Sequence, residues 1–152
     1  MLSGVWYNQL GSQMTLIPAQ DSGLTGLYTS AVGEADDVYV LAGRFDDNPP
    51  ADPAAGLSIG WVVTYRNDQL NAHCTATWSG QFFVSPTGEE RIVTHWLLAL
   101  STEPSAVWNS TNIGHDTFTR TKPSAAAIAQ AHALTVGSPH PAHVLRNRTP
   151  HS

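Results

Sequence analysis

The strongest constraint on the fold is the regular spacing of short segments that are rich in β-branched and aromatic residues. Turn-forming residues, such as Asp21-Ser22-Gly23 and Asn67-Asp68, separate these segments. The eight segments are residues 4–8, 14–18, 23–30, 38–45, 57–65, 71–83, 91–100 and 109–121. They predict an all-β domain, either an up-and-down barrel or a sandwich. An eight-stranded barrel leaves room inside for one small ligand.

Composition narrows the class of protein further. The chain has 152 residues, of which 41% are hydrophobic and only 12% are charged, so one domain with a buried core is expected. No apolar run approaches the roughly 20 residues that span a bilayer, and no membrane partner is expected. A net charge of −5 argues against a nucleic-acid partner, because phosphate binding requires a basic surface. A single cysteine excludes an internal disulfide and a zinc site built from several cysteines.

The chain divides into two regions of different composition. All twelve acidic residues precede residue 123, but only five of the seven basic ones do, so the first region carries a net charge of −7. The remainder is alanine-rich, and Ser124 after Pro123 can cap a short helix. After Gly137 the sequence is polar and rich in proline, which predicts a mobile end. We therefore expect a domain over residues 4–122 and an extension over 123–152, whose helix could dock on the domain or lie at a pocket mouth.

The common signatures of catalysis are missing from the sequence. There is no Gly-rich phosphate loop, no His-Glu-x-x-His motif and no Gly-x-Ser-x-Gly elbow. His115 and Asp116 are neighbours on a predicted strand, so they face opposite sides and cannot form a relay. The four histidines after residue 123 lack the spacing of metal ligands. We expect no catalytic residue, no metal and no cofactor.

Tryptophan is the most informative residue type in this chain. Five tryptophans lie on or beside the predicted strands, namely Trp6, Trp61, Trp78, Trp96 and Trp108. They can be large core residues, or they can form an aromatic box around a flat ligand. Composition alone favours the core.

Six local motifs follow one another over about residues 4–122. They are Gly4-Val5-Trp6-Tyr7-Asn8-Gln9-Leu10-Gly11-Ser12, Tyr28-Thr29-Ser30-Ala31-Val32-Gly33, Ala76-Thr77-Trp78-Ser79-Gly80-Gln81, Thr94-His95-Trp96-Leu97-Leu98, Trp108-Asn109-Ser110-Thr111 and Gly114-His115-Asp116-Thr117-Phe118-Thr119. In this order and with few gaps, they resemble the avidin/streptavidin family, in which such a box occurs. The first motif resembles the family's first strand with its turn, and the second its third strand, which enters a flexible lid loop.

This resemblance implies an eight-stranded antiparallel up-and-down barrel with a biotin pocket. Asn8, Ser12 and Tyr28 would donate hydrogen bonds to the ureido oxygen of biotin, as donors do in an oxyanion hole. Ser30 and Asp116 would accept hydrogen bonds from the two ureido N–H groups. The complete set of implied pocket residues is Asn8, Leu10, Ser12, Tyr28, Ser30, Val32, Gly33, Glu34, Ala35, Tyr65, Cys74, Ala76, Trp78, Trp96, Leu98, Trp108 and Asp116.

The apolar part of the implied pocket is contributed by two subunits. Trp78, Trp96 and Leu98 would form its walls, whereas Trp108 would reach into the pocket of a neighbouring subunit of a homotetramer. Residues 32–35 would lie on the lid loop beside the pentanoate tail of biotin.

Several residues depart from the family pattern. Tyr65 stands where a fourth pocket tryptophan is usual, Cys74 stands where a serine bonds the ligand carboxylate, and Ala76 replaces a threonine near the ring sulfur. Glu34 lies at a loop position whose backbone N–H contacts the carboxylate. The ureido end of the implied pocket is therefore intact, and its tail end is altered.

The function that these features favour is high-affinity, non-catalytic binding of biotin and biotinylated molecules, which sequesters the vitamin as a defence. A lipocalin-like carrier of another small apolar ligand is the alternative, and an enzyme is a third interpretation. The resemblance favours a secreted protein. Met1-Leu2-Ser3-Gly4 shows no basic and apolar signal pattern, so a cytoplasmic location stays open.

Overall fold

The chain forms a closed antiparallel barrel of eight strands in sequence order, which confirms the barrel rather than the sandwich. A computed structural model describes residues 1–31 and 38–134. A short 3-10 helix, Pro104–Asn109, precedes the last strand, and helix α1, Ala125–Leu134, follows it. The strands are β1 Gly4–Asn8, β2 Gln13–Pro18, β3 Gly23–Thr29, β4 Val38–Phe45, β5 Leu57–Arg66, β6 Asn71–Val84, β7 Glu90–Leu100 and β8 Thr111–Thr119.

The core lies inside the barrel because side chains alternate along every strand. In β5 the side chains of Ile59, Trp61, Val63 and Tyr65 are buried, and two of the three residues between them are exposed. The other long strands follow the same period of two. Burial of one face of each strand therefore fixes the register between strands.

Three tryptophans form a row across the barrel wall. Trp61, Trp78 and Trp96 are direct cross-strand partners on β5, β6 and β7, and Gly43 and Gly114 are the next partners on either side. The rings of Trp61 and Trp78 stack, with centroids 5.7 Å apart. A Cβ atom at Gly114 would lie 2.2 Å from the indole of Trp96, so only glycine leaves space for this ring.

The seam between β1 and β8 is the shortest in the barrel, with two residue pairs against eleven between β6 and β7. Arg120, which follows the last residue of β8, reinforces this seam near the start of β1. Its guanidinium lies 3.7 Å from the ring centroid of Trp6 and donates to Glu90 at 2.8 Å. It also donates to the backbone carbonyls of Ser3 and Val5. Arg120 therefore joins the start of the chain to the last two strands.

Helix α1 confirms the helix predicted from the alanine-rich sequence. The N–H of Ala127 donates to the Ser124 hydroxyl at 3.2 Å, so Ser124 is the N-cap. No residue of α1 is fully buried. Its Ile128 side chain lies against Gly11, which has φ of +87° in the turn between β1 and β2. The helix therefore docks on this turn.

The observed strands lie within about two residues of the predicted ones. The main difference is at β8, which begins at Thr111 rather than at residue 109, because the chain before it winds into the 3-10 helix. Pro104 at the first position of that helix favours this geometry, since its φ is already near the helical value. Within the described residues, no helix is long and apolar enough to cross a membrane. The predicted mobile end after Gly137 lies outside the described residues.

We propose residues 4–122 as the folding unit, and truncation tests this division. A chain that ends at Lys122 loses α1, which has no fully buried residue. Its midpoint of thermal unfolding should therefore stay within a few degrees of that of the full chain, since surface contacts contribute little. Scanning calorimetry of both chains measures this difference. A larger fall would mean that the contact of Ile128 with the turn is structurally important, and Ile128→Ala in the full chain would then show a similar fall.

Candidate functional site

Four polar side chains are buried around one part of the barrel interior. They lie at or after the ends of β1 and β3 and in the middle of β8, near the connections β1–β2 and β3–β4. Burial of polar groups is costly unless they are hydrogen-bonded, so such a cluster marks a candidate site. The four residues, each less than 10% exposed, are Asn8, Ser12, Ser30 and Asp116.

Asp116 is at the centre of this cluster. One carboxylate oxygen accepts hydrogen bonds from Nδ2 of Asn8 at 3.2 Å and from Nε2 of Gln9 at 3.1 Å. The other oxygen accepts from the indole N–H of Trp78 at 2.8 Å. A carboxylate has about four positions for donors. Three are used by the protein, which leaves room for one donor from a ligand.

Burial controls the protonation of this carboxyl group. Asp116 is 1% exposed, and loss of hydration raises its pKa to about 7. The hydrogen bonds from Trp78, Gln9 and Asn8 act in the opposite direction, but they do not offset the loss of hydration. Another donor or a positive charge at this site would favour the ionised form.

Gln9 is a positioning residue, which its place in the first motif did not indicate. Its side-chain amide donates to the carbonyl of His115 at 3.2 Å and accepts from the N–H of Thr117 at 2.9 Å. The amide thus takes the place of a peptide group of a neighbouring strand and extends the β1–β8 pairing beyond Asn8. Through its bond to Asp116 it also fixes the carboxylate.

Asn8 and Ser12 build the turn between β1 and β2. The carbonyl oxygen of the Asn8 side chain accepts from the N–H groups of Leu10 at 3.1 Å and Ser12 at 2.8 Å. The hydroxyl of Ser12 accepts from the N–H of Ala31 at 3.3 Å and so connects this turn to the end of β3. These contacts fix the side chain of Asn8, whose Nδ2 donates to Asp116.

An aromatic wall adjoins the carboxylate. The ring centroid of Tyr28 lies 5.2 Å from that of Trp78 and 6.5 Å from that of Tyr65. Tyr39 packs edge-on against Tyr65 at 4.9 Å. Burial raises the pKa of Tyr65 well above its usual value, so its phenol is neutral at physiological pH. Tyr39 is buried as well, although no sequence motif indicates that it belongs to this wall.

The remaining wall is apolar and comes from β6 and β7. Ala76 and Leu98 are cross-strand partners and are fully buried. Cys74 lies two residues before Ala76 on the same inner face, and burial raises the pKa of its thiol to about 11. The thiol is therefore protonated at neutral pH and is a weak donor. Trp96 continues this wall next to Trp78.

The structure thus places most of the sequence-predicted residues around one interior. Two residues are exceptions. Leu10 is buried in the turn between β1 and β2 but does not belong to the packed core of the barrel. Trp108 is 82% exposed on the 3-10 helix and does not line the interior of its own barrel. Val32, Gly33, Glu34 and Ala35 lie outside the described residues. His115 faces outwards and Asp116 inwards, as alternation on a strand requires. Among the described residues, no group of three or more potential ligands could hold a metal ion.

With eight strands, a polar cluster and aromatic walls inside, this protein belongs to the class of closed barrels that can enclose one small ligand. Comparison with known proteins narrows this class, because the model of the avidin family matches residues 1–121. The chain belongs to the avidin family.

Individual relatives agree with this assignment. Avidin from Gallus gallus is 30% identical to this chain over 125 residues, which cover 78% of this chain and 77% of avidin. Avidin-related protein 4/5 from Gallus gallus is 30% identical over 123 residues, with the same coverage of both chains. Afifavidin from Afifella pfennigii is 30% identical over 123 residues, covering 78% of this chain and 68% of afifavidin.

The raised pKa of Asp116 predicts how stability depends on pH. The folded protein holds a proton on Asp116 up to about pH 7, whereas the ordinary carboxyl pKa is 3.8. Between these values the folded state binds more protons than the unfolded state, so the contribution of Asp116 to stability falls as pH rises. The difference between the two pKa values corresponds to a change of about 4 kcal/mol at most in the free energy of unfolding.

Asp116→Asn should remove this part of the pH dependence. Urea unfolding of parent and variant between pH 4 and pH 8 measures it. The test is the difference between parent and variant in the slope of the free energy of unfolding against pH, because a constant cost of the substitution does not change this slope. Asp68→Asn, at an exposed position, is the matched control. Parallel curves for the parent and the Asp116 variant would contradict the assignment.

Proposed function

We propose that this protein binds biotin inside the barrel, non-covalently and without turnover. The observation that carries the proposal is the carboxylate of Asp116, which is held by three protein donors beside aromatic rings and has room for one more donor. Membership of the avidin family supports the same ligand. The ureido group of biotin supplies two N–H donors and one carbonyl acceptor on a compact ring.

The polar cluster can bind both the carbonyl oxygen and the N–H groups of that ureido group. One hydrogen on Nδ2 of Asn8 is directed at Asp116, and the second is available for the ureido oxygen. The hydroxyl of Ser12 and the phenol of Tyr28 complete the three donors that the family resemblance implies. Asp116 and Ser30 then accept the two ureido N–H groups. A carboxylate makes the stronger of these bonds, because charge-assisted hydrogen bonds are about twice as strong as neutral ones.

The ring system of biotin would lie between the aromatic and aliphatic walls. Trp78, Trp96 and Leu98 provide flat, dry surface, and Tyr65 closes the side where the family has a further tryptophan. Contacts of the thioether sulfur with aromatic rings add to this burial. These walls therefore suit a ligand that has a flat apolar body attached to a polar head.

The polar cluster also argues against the lipocalin-like alternative. A purely apolar ligand would leave the remaining acceptor position of Asp116 and the second Nδ2 hydrogen of Asn8 without a partner, and each such unpaired buried group costs about 1–3 kcal/mol. A ligand with donors and an acceptor at its head avoids this cost. We therefore favour biotin and biotinylated molecules as partners, with sequestration of the vitamin outside the cell as the biological role.

Assembly is the second part of the proposal. Trp108 is 82% exposed, and Leu97 and Ile113 on the outer face of β7 and β8 are 50% and 73% exposed. His95 and His115 are cross-strand partners on this same face. Exposed large apolar side chains next to one another are typical of interaction surfaces. We propose that these surfaces join four copies of the chain and that Trp108 completes the pocket of a neighbour.

Asp116→Ala tests the ligand assignment. The variant loses the acceptor for a ureido N–H, so biotin binding should weaken by a factor of roughly five to several hundred, since an unpaired buried donor costs about 1–3 kcal/mol or more. Calorimetric titration measures the affinity, and circular dichroism checks that the fold is retained. Asp68→Ala, at an exposed position, should bind like the parent. Equal affinity of the Asp116 variant and the parent would refute this pocket.

Trp108→Lys tests the assembly. If Trp108 covers the pocket of a neighbour, this variant should both weaken biotin binding and lower the oligomeric state, and biotin should stabilise the oligomer of the parent by mass action. Light scattering at micromolar concentration, with and without biotin, measures both effects. If the parent is monomeric, and biotin binds to it as tightly as to the Trp108 variant, the proposed assembly and the role of Trp108 are contradicted.

A further inference from the structure

Asn112 is an inward-facing polar residue that the polar cluster does not include. It lies on β8 and belongs to the face that also contains Gly114, Asp116 and Phe118. Its cross-strand partner is Leu98, which is fully buried. The nitrogen of the Asn112 side-chain amide is buried, and no hydrogen-bond partner for it exists among residues 1–31 and 38–134. An amide donor that faces an apolar wall in this way is costly for the folded protein.

The position of Asn112 relates it to the pocket. It is four positions from Asp116 in the sequence, which corresponds to roughly 13 Å along a strand. Asn112 is next to the start of β8, so it lies nearer than Asp116 to the connection between β7 and β8. The indole of Trp96 packs directly on Gly114, between the two, so the inner surface at this point is the indole. A ligand whose head is at Asp116 would therefore extend over the Trp96 ring and place its far end near Asn112.

We propose that Asn112 donates a hydrogen bond from its side-chain amide to the oxygen at the far end of the ligand tail. The inference rests on the proposed function. In one row across the strands, Ala76 is the partner of Leu98, and Leu98 is the partner of Asn112. Ala76 has no polar group, and Cys74 offers a protonated thiol. Asn112 is then the stronger donor on this side of the pocket.

The chemistry of the donor sets which tail ends are accepted. A neutral amide N–H can bond the carboxylate of free biotin and also the carbonyl oxygen of a biotin amide. Unlike lysine or arginine, it gains no ion pair from a free carboxylate. Asn112 therefore makes the pocket tolerant of both free biotin and biotin coupled to an amine, and intolerant of a tail that ends in an apolar group.

The experiment compares Asn112→Leu with the parent for three ligands, measured by dissociation rate. The ligands are biotin, biotin amide and an analogue whose tail ends in a methyl group. The variant should release biotin about tenfold to a hundredfold faster and the amide about threefold to tenfold faster, because a hydrogen bond to a charged group is the stronger. Release of the methyl analogue should be unchanged or slower. Thr111→Leu, at an exposed neighbouring position, is the matched control and should change none of the three.

Thermal stability without ligand separates this role from a structural one. Leucine removes a buried unpaired donor and packs beside Leu98, so Asn112→Leu should raise the midpoint of unfolding or leave it unchanged. A lower midpoint, or equal effects on all three ligands, would overturn the role of Asn112. Asn112→Asp provides a second variant of the same size, which should weaken binding of biotin more than of the amide, because two negative charges then meet. If the parent binds none of the three ligands, the proposed function itself fails, independently of the variants.

Discussion

Closure of the barrel between β1 and β8 is the constraint on which the other features depend. Only two backbone pairs join these strands. The side chain of Gln9 extends the pairing at one end, and Arg120, packed on Trp6, ties the strands together at the other. Without this closure, both strands would present unpaired edges and the inner faces would be wet. Hydrogen bonds from the side chains of Gln9 and Arg120 therefore replace the backbone hydrogen bonds that β1 and β8 lack.

The same closure creates the candidate site. Asp116 on β8 receives its donors from the end of β1, from the turn after it, and from β6. A buried carboxylate is costly, and these donors are fixed before any ligand arrives, so little reorganisation is needed on binding. Under the proposed function, stability and binding are thus opposed at this residue, as is usual for functional sites. The role proposed for Asn112 carries the same opposition, since its amide donor has no protein partner in the described structure.

The sequence predicted the site through motifs rather than through geometry. Asn8, Ser12 and Asp116 were found because their spacing in the chain resembles that of a known family. Gln9 lies within the first of those motifs, but its role as a substitute for a peptide group depends on a strand more than a hundred residues later. Tyr39 and Asn112 gave no signal, because an aromatic or polar residue on a strand does not reveal which residues will face it across a barrel.

The sequence by itself determined the eight strands, their short connections and the capped C-terminal helix. These features depend on local properties: the alternation of side chains, turn-forming residues, and the hydroxyl of Ser124 near the first turn of α1. The strand pattern left a barrel and a sandwich open and the family resemblance implied the barrel, and the tertiary structure shows the closure. Only the tertiary structure decided that the burial of Asp116 raises its pKa and that Gln9 and Arg120 complete the β1–β8 seam. The physical reason is that an alternating pattern specifies which face of a strand is buried, but not which strand pairs with which edge.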